Sequence, residues 1–331
     1  MVEFKAISKR DNWLDLLLAV ACGTAAFLVY YLTLSPGVYP GQSAQLMANC
    51  TGVEPAVAPA HPLWTPVMVW LAHADFLALP VRMNLFSALC GALAVMLLYR
   101  LTAFLVRQVI YDETISDLRT NIAAVLAGLT AALALAFSVP FWSASTRLQY
   151  QSFDLLLLLA VFYLLVLYAR TGWLFFILLF AVCYGVGVVE STMFLALSPV
   201  AGVAALFVLW KQERLGHGMV VAMGLLLLLG LGAYVLFAIH FFATEDIALR
   251  GYRSWQDVLV FMWRDQFQEL KSAIPRLNWF WLLLQSVAPA LAAAIAARRA
   301  LNNERTWSLY LLHLILTVLS LIHISEPTRP Y

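Results

Sequence analysis

Glu190 stands in GVGVVESTMFLALSP, a carboxylate with apolar residues on both sides. At or near membrane depth such a group is costly and faces a cavity or a partner; at a turn between helices it sits in interfacial water instead. Gln42, Gln45 and Asn49 recur at i, i+3 and i+7, which is one polar face of a helix with Leu46 and Met47 turned elsewhere. Neutral amides orient a hydroxyl or a phosphate, but they do not take a proton as a carboxylate does. Glu54 is the only carboxylate of Ser35–Trp64, and His61 lies between Pro59 and Pro62 near the end of that stretch. An imidazole titrates near neutrality, although a lone histidine is more often structural than catalytic. Arg147 shares PFWSASTRLQYQSFD with Gln149, Tyr150 and Gln151. Its guanidinium suits a phosphate of a lipid or a lipid-linked donor, and equally suits snorkelling to ordinary headgroups. Asp154 opens the next apolar run, where a carboxylate fits the N-terminus of a helix as a cap.

The elements that must hold these groups are membrane helices. Of the 331 residues 63% are hydrophobic and 11% are charged, with a net charge of +2. Soluble globular proteins carry about 25% charged residues. A soluble fold would lack the polar surface it needs, so the expected fold class is all-α, a polytopic transmembrane bundle; the net charge says nothing useful about nucleic acid, and no nucleic-acid partner is expected. At about 20 apolar residues per span, about nine spans are expected. They are Trp13–Leu34, Asn84–Val106, Ile122–Val139, Phe153–Ala169, Trp173–Val189, Thr192–Trp210, Met219–Phe242, Trp279–Ala297 and a ninth from Thr306 onward. Leu63–Leu79, set between Pro62 and Pro80 and holding His73 and Asp75, reads as a surface or re-entrant helix. Ser35–Trp64, proline-rich at both ends and polar between, cannot lie in hydrocarbon unless protein or water satisfies its backbone. It begins a first outer loop, 35–82, expected to fold over an outward pocket within reach of Arg147 and Glu190.

Lys5, Lys9, Arg10, Arg100, Arg107, Arg119, Arg170, Lys211, Arg214, Arg298, Arg299 and Arg305 fall on one side when these spans alternate, which makes that side, with the N-terminus, cytoplasmic. The second large outer loop, 244–278, contains Trp255, Val258, Leu259, Met262, Phe267, Leu270 and Ile274 at helical spacing, the pattern of an amphipathic helix in the interface plane. Gly185 and Gly187 would let a neighbouring helix approach closely. Cys22, Cys50, Cys90 and Cys183 form no CxxC and read as packing residues. The first span reads as an uncleaved anchor. Leu319–Arg329, LSLIHISEPTR, looks like the translation of a sequencing-library adapter, so 319–331 is expected to be non-native and 1–318 a transmembrane domain cut short at its C-terminus. No Walker A, HExxH or GxSxG pattern occurs.

Three blocks resemble the domain-of-unknown-function family 2723, multi-pass proteins of GT-C glycosyltransferase architecture that include a eukaryotic protein O-mannosyltransferase. They are LSPGVYPGQSAQL with Pro59, Pro62-Leu63-Trp64 and RMNLFSALCGALAVMLLY, then PFWSASTRLQYQSFDLLLL, then GVGVVESTMFLALSP. Arg82-x-Asn84-Leu85 with Ser87-Ala88 is the most specific piece. The family's loop Asp and Glu fall on Gln42 and Gln45, the Glu of the second block falls on Gln149, and the family's His falls on Ser191 with Glu190 beside it.

The resemblance implies a glycosyltransferase that moves a sugar from a polyprenyl-phosphate donor to a hydroxyl of a protein or glycan acceptor at the outer face. With amides at the family's acidic positions, the fold carries over and the catalytic assignment does not: the candidate catalytic residues are Gln42 and Gln45, orienting acceptor or sugar, with Glu190, Glu54 or His61 taking over the proton. The implied substrate-binding residues are Arg147, Gln149, Tyr150 and Arg253, with Arg147 or Arg253 on the phosphate. No metal ligand set is assigned, no cofactor is implied, and the need for a divalent metal is left open. The expected partners are the lipid-linked donor, the acceptor and membrane lipid, and the expected location is a bacterial inner membrane. Because three acidic positions of the family are Gln here, a catalytically silent binding or scaffold protein of the same fold stands as the alternative. A transporter is the third reading, and it would want internal repeats that the sequence does not show.

Overall fold

The computed structural model describes residues 9–53, 61–110, 117–244 and 252–273. Twelve helices and no strand occur among them. In chain order these are α1 Lys9–Leu32, α2 Gln42–Cys50, α3 Trp64–His73, α4 Leu79–Ile110, α5 Asp117–Ala136, α6 Val139–Thr146, α7 Gln151–Thr171, α8 Leu174–Glu190, α9 Thr192–Lys211, α10 His217–Leu231, α11 Ala233–Thr244 and α12 Trp255–Ala273. Among the described residues six stretches are long and apolar enough to cross a membrane: α1, α4, α5, α7, α9, and α10 with α11 taken together. The all-helical membrane bundle read from composition is what the chain forms. Helix α8 is apolar too but shorter. The spans expected at Trp279–Ala297 and from Thr306, the tail 319–331, and Glu54, Pro59 and Ile274 all lie outside the described residues.

Several boundaries differ from the expectation for local reasons. Helix α4 starts at Leu79, not Asn84, because Pro80 falls in its first turn, where a missing N–H leaves no hydrogen bond unmade. The surface helix expected over Leu63–Leu79 is only α3, ending at His73. Val139 belongs to α6, which has a proline in its first turn, and not to the preceding span. The span expected over Met219–Phe242 is two helices that meet at Gly232.

The main core is built from α1, α4, α5, α7, α8 and α9, around fully buried Tyr30, Leu98, Tyr99, Leu158, Leu165, Phe194 and Leu209. Small residues set the close crossings. A Cβ on Gly185 would sit 2.4 Å from the Leu227 carbonyl, and one on Gly230 would sit 2.3 Å from the Val182 carbonyl. The backbones of α8 and α10 therefore touch there, as small residues allow in a membrane. Gly187 makes room for something else: the ring of Phe194 occupies the space of its missing side chain.

Contacts between helix ends sort the bundle into two ends. At one, Arg107 near the C-terminus of α4 pairs with Asp15 of α1 through two contacts and donates to Asn121 of α5. Gln212 donates to the Ala169 carbonyl and Arg214 to the Gly172 carbonyl, which brings the C-termini of α7 and α9 to the same end. At the other end, Ser35 N–H donates to the Thr146 carbonyl, Asn84 donates to the Ser35 carbonyl, and Ser87 Oγ donates to the Gln149 carbonyl. Met47 and Cys50 of α2, Trp64, Met68 and Leu71 of α3, Met83 of α4 and Leu148 form a second apolar cluster there. Burying each of the larger side chains contributes roughly 1.5–3 kcal/mol. That cluster seats the first loop on the bundle, as its composition requires.

Candidate functional site

The seated loop ends by placing His61 against two carboxylates. Leu63 and Trp64, at the start of α3, carry backbone N–H groups that no helical carbonyl can accept from. Both donate to Glu190, at 2.6 and 3.1 Å. The carboxylate at the C-terminal end of α8 thus caps a helix 127 positions away in sequence, and negative charge is favoured at that helix end. Glu190 is 2% exposed. Of its two sequence readings, a water-bathed turn residue or a partnered buried group, the structure has the second.

His61 has a backbone φ of 54°, the left-handed region that a non-glycine residue seldom adopts. Its carbonyl accepts from Thr65 N–H at 2.8 Å, which closes the turn into α3. The imidazole stacks on Tyr150 with ring centroids 3.7 Å apart, and Trp64 stands edge-on to both rings. His61 Nδ1 lies 3.8 Å from Asp154 Oδ1 and 3.8 Å from Glu190 Oε1. These separations exceed a hydrogen bond, and Nδ1 is buried with no hydrogen-bond partner. Burial pushes the imidazole down to about 4, and an interaction with the Glu190 backbone offsets this in part. The ring is therefore neutral at physiological pH.

Asp154 is the residue that sequence reasoning assigned too little. The expectation of a helix cap is not met. Asp154 lies in the first turn of α7, whose N-cap is Tyr150 with no side-chain cap bond, and it is 4% exposed and turned to His61. A signal is present in the sequence, since Asp154 is also an acid at the outer end of an apolar run, where burial is as costly as for Glu190.

The remaining candidates divide. Gln42 reaches the centre indirectly, by donating to the Tyr150 hydroxyl at 3.3 Å. Gln45, one turn on, lies on the exposed face of α2. Arg147 sits over Tyr39 of the first loop, Cζ 3.4 Å from the ring centroid, a cation–π contact. Gln149 is held through its main chain, by Ser87 Oγ on both its carbonyl and its N–H. Arg253 is exposed just before α12, and its backbone N–H donates to the Asp257 carboxylate of that helix at 3.0 Å. No contact among the described residues joins Arg253 to His61, Asp154 or Glu190. Helix α12 does form with the expected amphipathic pattern, and Val258 and Met262 bury it against Val189, Tyr234, Ala238 and Phe241. Gln266 of α12 donates to the Val188 carbonyl at 2.6 Å and pairs with the Tyr234 hydroxyl, which itself donates to the Val188 carbonyl. These contacts brace α8 two residues before Glu190.

The arrangement supplies a neutral imidazole and two acids at the end of the bundle where the loop is seated, with an arginine and several hydrogen-bonding side chains on neighbouring segments. Such a set can accept a proton from a hydroxyl, and its nitrogen and oxygen atoms are of the kind that ligate a metal. No curated protein and no solved structure matches the chain. Residues 54–215, which carry His61, Arg147, Asp154 and Glu190, match the family model described as the protein O-mannosyl-transferase TMEM260 N-terminal domain, over a little under half of the chain.

Proposed function

We propose that the chain is a membrane glycosyltransferase of the O-mannosyltransferase kind, moving a sugar from a polyprenyl-phosphate donor to a hydroxyl of a protein or glycan acceptor. The observation that carries this reading is the position of the buried His61 Nδ1 between Asp154 and Glu190, at 3.8 Å from each, inside the segment that matches the family model. In the transfer step the acceptor oxygen forms a bond to the anomeric carbon, the bond from that carbon to the phosphate oxygen breaks, and the lipid phosphate leaves with the electron pair. The acceptor proton passes to the His61–Asp154–Glu190 centre, the step that a positioned acid–base group accelerates. Glu190, whose two oxygens hold the Leu63 and Trp64 N–H groups, keeps the centre assembled. Arg147, whose guanidinium lies over Tyr39 of the first loop, is the cation that meets the phosphate in this reading. Gln42, through Tyr150, orients what lies against the His61 ring. The positive-inside distribution of Lys and Arg supports a cytoplasmic N-terminus and an outward-facing loop end, in a bacterial inner membrane.

The test is sugar transfer by the purified chain from polyprenyl-phosphate mannose to a hydroxyl-bearing peptide. Turnover that falls at least a hundredfold in Asp154→Asn and Glu190→Gln supports the reading. Turnover unchanged in both sinks it. A second reading is a silent binder of the lipid-linked sugar, favoured by the amides at Gln42, Gln45 and Gln149. Under that reading transfer is absent from the natural chain and appears only in Gln42→Asp with Gln45→Glu.

A further inference from the structure

The spacing at the loop end suits an ion better than it suits a hydrogen bond. One ligand atom from each of His61, Asp154 and Glu190 lies within 4.8 Å of the other two, and His61 Nδ1 is 3.8 Å from each carboxylate. With metal–ligand bonds of about 2.1 Å, two ligands of one ion stand up to about 4.2 Å apart. Both 3.8 Å separations already fall inside that limit, and a small turn of one carboxylate brings the third pair within it. His61 Nδ1, buried and without a hydrogen bond, leaves a ligand position unfilled by protein.

We propose that His61, Asp154 and Glu190 bind one divalent transition-metal ion, such as Mn2+ or Zn2+. Mg2+ and Ca2+ favour oxygen-only sets, whereas an imidazole nitrogen with two carboxylates suits a borderline ion. The groups around the ligands hold them as metal sites require. Glu190 is fixed by the Leu63 and Trp64 N–H groups. The His61 ring is clamped against Tyr150, and its backbone is set by the positive φ at the entry to α3. The three ligands come from the first loop, α7 and α8, so the ion ties the loop to the bundle at the point where the acceptor would enter. In the transferase reading it would hold the acceptor oxygen as its proton leaves, but the site stands without that reading, because it is tested on the protein alone.

The experiment strips the purified full chain with EDTA and titrates it with Mn2+ alone, followed by electron paramagnetic resonance. The expected result is one ion per chain, with nitrogen modulation from a coordinated imidazole in the pulsed spectrum. Affinity should be at least tenfold weaker in His61→Gln and in Asp154→Asn, with helical circular dichroism retained. Absence of stoichiometric binding, binding without the nitrogen signal, or equal affinity in both variants overturns the proposal. The wild-type nitrogen signal decides even where a variant fails to fold. A chain that binds the ion and transfers no sugar keeps the metal site and refutes the transferase. A chain that transfers sugar undiminished after EDTA and binds no Mn2+ does the reverse.

Discussion

The two ends of the bundle each bury acidic side chains, and they treat them differently. At the basic end Asp15 faces Arg107, which grips both carboxylate oxygens and also holds Asn121. At the loop end Glu190 faces no Lys or Arg among the described residues; peptide N–H groups hold it, and a neutral imidazole stands 3.8 Å away. A buried acid matched by a cation is a structural device, and removing either partner strands the other. Buried acids gathered around a histidine keep chemical capacity in reserve, which is the pattern of functional sites. The chain thus uses the Asp15–Arg107 pair to fix α1, α4 and α5, and holds Glu190 at the other end with peptide N–H groups.

Breaking each end should therefore read out differently. The largest effect is expected at the loop end: Asp154→Asn or Glu190→Gln should lower sugar transfer by about 10²–10⁴-fold, the range of a lost acid–base group, with helical content unchanged by circular dichroism. Arg107→Ala should do the opposite. It should cost about 3–5 kcal/mol of stability by leaving Asp15 buried and unmatched, measured by thermal or denaturant melting, while the folded fraction transfers at the wild-type rate. Gly185→Val sharpens the comparison at the crossing that carries Glu190. Its side chain would press on the Leu227 carbonyl, and overpacking of this kind costs about 1–3 kcal/mol.

A smaller effect should appear with pH. Asp154, Glu190 and Tyr150 are the titratable groups that face His61, whose imidazole lies at about 4 in the fold against 6.5 ordinarily. Between those values the unfolded chain binds a proton at His61 that the folded chain refuses, so the His61 contribution to metal-free stability rises with pH across that window and is lost as pH falls through it, opposed by Glu190, whose carboxyl burial pushes up. The stability change from about pH 4.5 to about pH 7, inside and above that window, should be less positive in His61→Gln than in the wild type, measured by melting. The smallest effect is expected from Gln42→Ala, which removes one exposed hydrogen bond to Tyr150 and should cost no more than about 0.5–1.5 kcal/mol.

Much of the fold is legible in the sequence because burial in a membrane writes itself into composition. Spans such as α1, α7 and α9 follow directly from runs of apolar residues. The break at Gly232 is not legible, since the apolar run continues across it and glycine is common inside membrane helices. At the site, Glu190 is readable from the cost of a carboxylate between apolar segments. Asp154 carries the same signal, but a helix start offers an acid a cheaper explanation as a cap. That His61 stands between them depends on contacts spanning the first loop, α7 and α8, which no local pattern encodes. Arg253 shows the converse: a cation at the head of an amphipathic helix looks the same in sequence whether it points to a phosphate or to solvent.

The central claim is that His61, Asp154 and Glu190 act as one unit. A double-mutant cycle on sugar transfer tests it most directly, using His61→Ala, Asp154→Asn and their combination in the full chain. The account predicts that the double variant loses about as much as the worse single one, because residues that act together are not additive. Losses that multiply, or either single variant turning over at the wild-type rate, would contradict it.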